Sequence, residues 1–347
     1  MVSALLLIWS AALAGTDPAG TDPLASSVAD PRFNPGAGST TPPATDPATP
    51  AGNPASGPGA NPADAVSEVV VEAPEPRYAA PTLRDRIGRI WAPVLINGRG
   101  PYRLVLDTGA SHSAIVAQVA DSLGIQVGTF GSIRVAGVTG SAIVPSVSVR
   151  RMEVGELSMD STVLPIVADV FGGAQGVLGT EGLGDKRILI DFGHDRVVIR
   201  RSRGQLERAD FTTLPLRELH NHLLALDVKV GEVRAKAIID TGAQVSIGNT
   251  ALRDALQRRG TKDAHKAEIE GVTLDIASGD MIRAPPISVG PLLFNGVNIT
   301  YGDMFIFERW RLMRAPTLVL GMDVLGSVDV LVIDYRLRQL QLRLRHS

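Results

Sequence analysis

Beyond Arg77 the chain alternates short runs of Val, Ile and Leu with turns rich in Gly, Asp and Asn, which is how half-buried strands read. Residues 93–96, a turn at Asn97 and Gly98, and residues 102–106 predict a hairpin, because Asn-Gly tolerates the positive φ angles of a tight turn. Residues 188–192 and 196–200, joined by Gly193, His194 and Asp195, predict a second. Helical patterns are few. One covers residues 115–123 and stops at Gly124; another covers residues 250–259, capped by Asn249 and stopped by Gly260.

Before Arg77 this periodicity disappears. Residues 15–76 hold 13 of the 23 prolines, with one aromatic, Phe33, and one basic residue, Arg32. So little apolar surface does not offset the entropy of ordering, which predicts a disordered linker; a propeptide laid over a functional site is the alternative. Residues 4–13 form an apolar run ending in Ala12, Leu13 and Ala14, so residues 1–14 read as a signal peptide for an exported chain, periplasmic or secreted. No basic residue precedes Arg32, so a start further upstream or an uncleaved N-terminal anchor stays open.

The most informative feature is an internal repeat. LVLDTGASHSAI at residues 104–115 recurs as AIIDTGAQVSIG at residues 237–248. GVLGTEGL at residues 176–183 is answered by LVLGMDVL at residues 318–325, and ILIDF at 188–192 by VLVIDY at 330–335. Each half then closes with an apolar-polar strand. A period this long means two duplicated lobes, not a solenoid, and the expected division is residues 77–205 and 206–347.

An Asp-Thr-Gly that ends an apolar strand delivers a carboxylate to the protein centre, and its glycine permits a tight backbone turn. One copy is weak evidence, since Asp-x-Gly also ends strands in phosphate-binding loops and simple turns. Two copies related by a pseudo-two-fold axis would set Asp107 against Asp240. Two carboxylates at close range do not ionise together easily and hold one proton between them. One can then take a proton from water while the other polarises a carbonyl.

With these motifs the chain resembles the retropepsin-like aspartic proteases, in a bacterial single-chain form with two fused lobes. The resemblance runs over about residues 91–344 and rests on Leu104 to Ala110, Ala237 to Ala243, and the apolar-Leu-Gly elements ending at Gly179 and Gly321. It implies a mostly β, two-lobed acid-protease fold of barrel-like units with few short helices, the ends of both lobes pairing in a shared sheet. It implies Asp107 and Asp240 as catalysts, with Thr108, Gly109, Thr241 and Gly242 supporting the loops. It implies an endopeptidase acting on polypeptide with no metal or organic cofactor. The chain departs from the family at Ser111 and Gln244, where retroviral relatives commonly carry a charge, and at Ala110 and Ala243, where pepsins carry a hydroxyl. A hydroxyl there would lower a carboxyl pKa, so its absence predicts a dyad suited to less acidic pH.

Residues 135–141 suit a mobile hairpin tip, making Gly137, Val138, Thr139 and Gly140 flap candidates; residues 271–280 are the counterpart. Neither holds a tyrosine. Glu181 and Asp323 occupy matching places and read as charges at helix starts; Asp191 and Asp334 read as strand-end residues. His220 and His222 share a strand face without an evident third metal ligand.

Composition narrows the remaining classes. The 347 residues carry no cysteine, which excludes disulfide frameworks, thiol nucleophiles and zinc ribbons. With 34 basic and 36 acidic residues, nothing favours nucleic acid as partner. The mature chain is expected to be a monomer without a membrane span. Two other readings stand beside the protease: a peptide-binding module that no longer cuts, and an actin-like ATPase. The second needs helices and a length that the 271 residues after Pro76 do not offer.

Overall fold

The computed structural model describes residues 2–3, 8–9, 79–81, 89–204, 210–219, 223–257 and 264–345. The described residues belong to one compact unit. The expected linker therefore lies outside the described residues, as do His220 and His222.

Both lobes are built of strands, and both repeat one pattern around the Asp-Thr-Gly loop. In the first, Trp91–Ile96 and Arg99–Leu106 form the predicted hairpin, with Asn97 and Gly98 at φ 53° and 73° as a tight turn requires. Gly176–Leu178 lies parallel to the end of Arg99–Leu106 and antiparallel to Ala114–Val116, which runs parallel to the end of Leu157–Val167. Ser141–Val154 pairs with both Trp91–Ile96 and Leu157–Val167, so six strands close a barrel.

The second lobe repeats the inner part. Leu224–Val230 and Val233–Ile239 pair antiparallel, Thr317–Leu320 runs parallel to the latter, and Ile247–Gly248 sits antiparallel to Thr317–Leu320 and parallel to Asn298–Tyr301. In each lobe the apolar-Leu-Gly strand thus threads behind the strand that carries the aspartate. Its residues are buried throughout and mostly apolar because both faces are covered.

The lobes share a six-stranded sheet. Lys186–Asp191 pairs with Arg196–Arg201 and, across the lobe boundary, antiparallel with Val330–Asp334, which pairs with Gln339–Arg343. Ile188 faces Ile333 and Ile190 faces Leu331 in that register, all buried. Each such apolar side chain contributes about 1.5–3 kcal/mol when fully buried, so the boundary is fastened by core packing as well as by backbone pairing. Asp191 and Asp334 close these strands as expected: Asp191 accepts the His194 amide, and Asp334 accepts the Leu337 amide and the Ser202 hydroxyl.

Helices differ from expectation in detail. The first spans Ala117–Leu123 and ends at Gly124 in the left-handed region, because residues 114–116 are drawn into the barrel as a strand. The second spans Thr250–Gln257, and Asn249 Oδ1 accepts the Leu252 amide as its cap. Two short helices, Phe305–Arg309 and Met322–Leu325, have no clear sequence signal; each is hardly more than one turn, stabilised by packing. Of the apolar N-terminal run, Val2–Ser3 and Ile8–Trp9 are described, as short strands against Ile269–Glu270 and Val135–Ala136. Among the described residues no helix is long and apolar enough to cross a membrane.

Candidate active site

Each Asp-Thr-Gly follows the buried end of a strand, and the two loops interlock. The Thr108 hydroxyl donates to the Ile239 carbonyl at 2.8 Å and accepts the Thr241 amide at 3.1 Å. The Thr241 hydroxyl donates to the Leu106 carbonyl at 2.6 Å and accepts the Thr108 amide at 3.1 Å. Four buried hydrogen bonds therefore cross the lobe boundary with two-fold symmetry. The parallel strands behind hold the aspartates from below: the Asp107 amide donates to Leu178 and the Asp240 amide to Leu320.

The loops bring Asp107 and Asp240 together, both fully buried. Oδ1 of Asp107 accepts the Gly109 and Ala110 amides at 2.9 and 3.0 Å, and Oδ1 of Asp240 accepts the Gly242 and Ala243 amides at 2.8 and 3.0 Å. Apart from a proton shared between the two carboxyls, Oδ2 of each accepts no hydrogen bond from the protein. Gly242 is required sterically, since a Cβ there would overlap the Asp107 carboxyl. Burial pushes Asp107 up to about 7, opposed by hydrogen bonding to Asp240, the Gly109 and Ala110 amides and the Arg89 charge. Burial also raises Asp240 well above the carboxylate range, and the Asp107 charge raises it further. One proton shared by two buried carboxyls is the state these forces favour.

Behind each loop lies a brace that sequence reasoning missed. The Ser113 hydroxyl accepts the Gly179 amide, and the Ser246 hydroxyl accepts the Gly321 amide. Glu181 accepts the Ser113 amide at 2.6 Å and Asp323 the Ser246 amide at 2.9 Å. Charge at a helix start is therefore an incomplete account of these two acids: they clamp the serine four residues past the glycine of each Asp-Thr-Gly loop. The signal was present, because Asp-Thr-Gly-Ala-x-x-Ser recurs in both halves.

The flap candidates form the tip between Ser132–Ala136 and Ser141–Val154, closed by the Gly137 amide donating to the Gly140 carbonyl. The counterpart tip lies between Ala264–Glu270 and Ile276–Arg283. The two tips touch: side chains added at Gly140 and Gly271 would meet Asp275 and Thr139. Val138 is buried among second-lobe residues including Ile306 and Phe307, and its carbonyl accepts the Ile306 amide. A cleft of about 740 Å³ on the second lobe, bordered by Lys229, Arg234 and Lys236, contains none of these residues. Among the described residues no group of acids and histidines is arranged to hold a metal.

Interlocked loops at the boundary of two duplicated β lobes, each presenting a buried aspartate, define an acid-protease type of fold and site. The comparison with protein families agrees. The aspartyl protease family model matches twice, over residues 92–182 and 226–324, one match per lobe, and the chain belongs to that family. A comparison with curated proteins returns no match.

Proposed function

We propose that the chain is a single-chain aspartic endopeptidase that cuts polypeptides with water activated between Asp107 and Asp240. The ionised carboxyl takes a proton from water as its oxygen attacks the scissile carbonyl carbon. The protonated carboxyl gives its proton to the carbonyl oxygen, yielding a neutral tetrahedral diol. Return of a proton to the leaving nitrogen and loss of the other to a carboxylate then break the C–N bond. The observation that carries this reading is the pair of buried Oδ2 atoms left without protein donors between symmetric loops. The chemistry calls on no metal or organic cofactor, and one chain supplies both carboxyls, which suits a monomer.

An extended peptide suits the ground under the two hairpin tips. Strands Ser132–Ala136 and Ala264–Glu270 each have an edge that accepts short extended segments of the chain itself, at Ile8–Trp9 and Val2–Ser3. Backbone pairing of that kind binds peptide with little dependence on sequence, leaving specificity to side-chain pockets. The N-terminal apolar run fits export, with substrates outside the cytoplasm. Contact between the tips would also suit a peptide binder that no longer cuts.

Cleavage of a peptide library by the full chain from pH 3 to 8, beside Asp107→Asn and Asp240→Asn, separates the two. Each substitution should reduce kcat/KM by about 10³-fold or more, since general acid–base catalysis alone supplies 10²–10⁴. A folded wild type that binds peptides and cuts none at any pH would overturn the protease reading in favour of the binding module.

A further inference from the structure

The two catalytic loops are alike, but the residues facing them across the neighbouring strand are not. In the first hairpin Trp91 pairs with Val105 and Ala92 with Leu104, and the Leu106 amide donates to the Ile90 carbonyl at 2.9 Å. Continued by one residue, this register sets Arg89 opposite Asp107. In the second hairpin Ala225 pairs with Ile238 and Leu226 with Ala237. The same continuation sets Leu223 opposite Asp240. Directly opposed residues in an antiparallel pair hold their Cβ atoms about 4.5–5.5 Å apart. Arg89 is fully buried and Leu223 is 1% exposed, so neither carboxyl's neighbour is diluted by solvent.

We propose that Arg89 polarises the dyad, making Asp107 the carboxylate that takes the water proton and Asp240 the acid that protonates the scissile carbonyl. This rests on the dyad described above and goes beyond it, because the loops alone are symmetric and assign neither role. A buried guanidinium stays charged at every working pH, and in a low-dielectric setting it favours the ionised form of the nearer carboxyl. Leu223 offers Asp240 no such support and favours its neutral form. Among the described residues, the other ionisable groups bearing on Asp107 are Asp240 itself and the buried Tyr335, whose phenol is held neutral by burial and by the Asp107 charge. Neither competes with Arg89 as a source of positive charge. Arg89 is accordingly a positioning residue that acts through Asp107.

The test reads the carboxyls directly, by NMR titration of the full chain labelled with carboxyl-¹³C aspartate. Asp240→Asn isolates Asp107, and Asp107→Asn isolates Asp240. Asp107 should titrate about 1–3 pH units below Asp240, the size expected for an opposite charge at this range. Adding Arg89→Met to Asp240→Asn should remove most of that difference, while Arg89→Lys should retain it; a purely structural arginine would move neither titration. Equal values for the isolated carboxyls, a higher value for Asp107, or an Asp107 titration unmoved by Arg89→Met would overturn the proposal. If Arg89→Met fails to fold, the Asp107–Asp240 comparison and the Arg89→Lys titration decide it. Cleavage has no part in the readout, so a chain that cuts no peptide would refute the protease reading and still decide the polarity.

Discussion

The two lobes agree closely where the carboxyls are held and diverge one layer further out. Both loops use the same threonine cross-bonds, the same pair of amides on Oδ1 and the same serine brace. Around them Arg89 corresponds to Leu223, Thr180 to Met322, and Glu181 to Asp323. The Ala110 carbonyl accepts both the amide and the hydroxyl of Thr180, whereas the Ala243 carbonyl accepts only the Met322 amide from that position. Geometry has thus stayed two-fold while charge has not. Interlocking explains the difference. A change in one threonine strands polar groups belonging to the other lobe, whereas a change outside the lock alters only its own side.

The largest effect should come from opening the lock. Thr108→Val deprives the Thr241 amide of its acceptor and the Ile239 carbonyl of its donor; Thr241→Val does the same to the Thr108 amide and the Leu106 carbonyl. Each stranded buried group costs about 1–3 kcal/mol, so either variant should lose roughly 2–6 kcal/mol in denaturant unfolding. The two losses should match. A clear inequality would mean that the loops do not share the load equally, and the comparison would fail at its symmetric level.

The next effect tests the divergent layer. The Glu181 carboxyl is buried and its Oε2 accepts nothing, while the Asp323 carboxyl, also raised by burial, accepts the Ser246 amide, the Ser246 hydroxyl and the Val324 amide, which oppose that rise. Burial raises Glu181 from 4.5 to about 7. A carboxyl raised on folding binds its proton more tightly in the native state, so its contribution is complete below pH 4.5 and is lost as pH climbs through 7. At 1.36 kcal/mol per pH unit the loss amounts to roughly 3 kcal/mol. Glu181→Gln, which stays neutral, should match wild type at pH 4 and exceed it in stability at pH 8. Unfolding curves that stay parallel at both pH values would show that the first brace is no more pH-sensitive than the second.

Much of this was legible in the sequence because duplication supplies an internal control. A motif such as Asp-Thr-Gly means little alone, but its return with apolar-Leu-Gly and Ile-Asp in the same order gave the lobes, the dyad and the shared sheet. Positions that repeat without being apolar or acidic were harder to weigh, and Ser113 and Ser246 escaped for that reason. Arg89 escaped for another. Its importance lies in a cross-strand register one residue beyond a hairpin, where no local pattern distinguishes a buried arginine from a solvated one. The helix at Phe305–Arg309 packs against the first hairpin tip through Val138, a contact between residues far apart in the chain.

The smallest predicted effect is the most discriminating between the lobes. Ala110 and Ala243 place no hydroxyl beside either carboxyl, so wild-type activity should extend toward neutral pH; activity confined to strongly acidic conditions would contradict this. A serine at either site adds a donor to the ionised form of its own aspartate and should lower that carboxyl's pKa, by about half to one pH unit on the general scale of such bonds. If Asp107 works ionised, Ala110→Ser should move the acidic limb of kcat/KM downward, because that limb reports loss of the proton from the base. If Asp240 works protonated, Ala243→Ser should instead lower the alkaline limb, where the acid loses its proton. The limbs belong to the coupled pair, so each variant should also move the other limb slightly. Equal movement of the same limb by both serines would make the two carboxyls interchangeable, and the divergence around them would then have no bearing on catalysis.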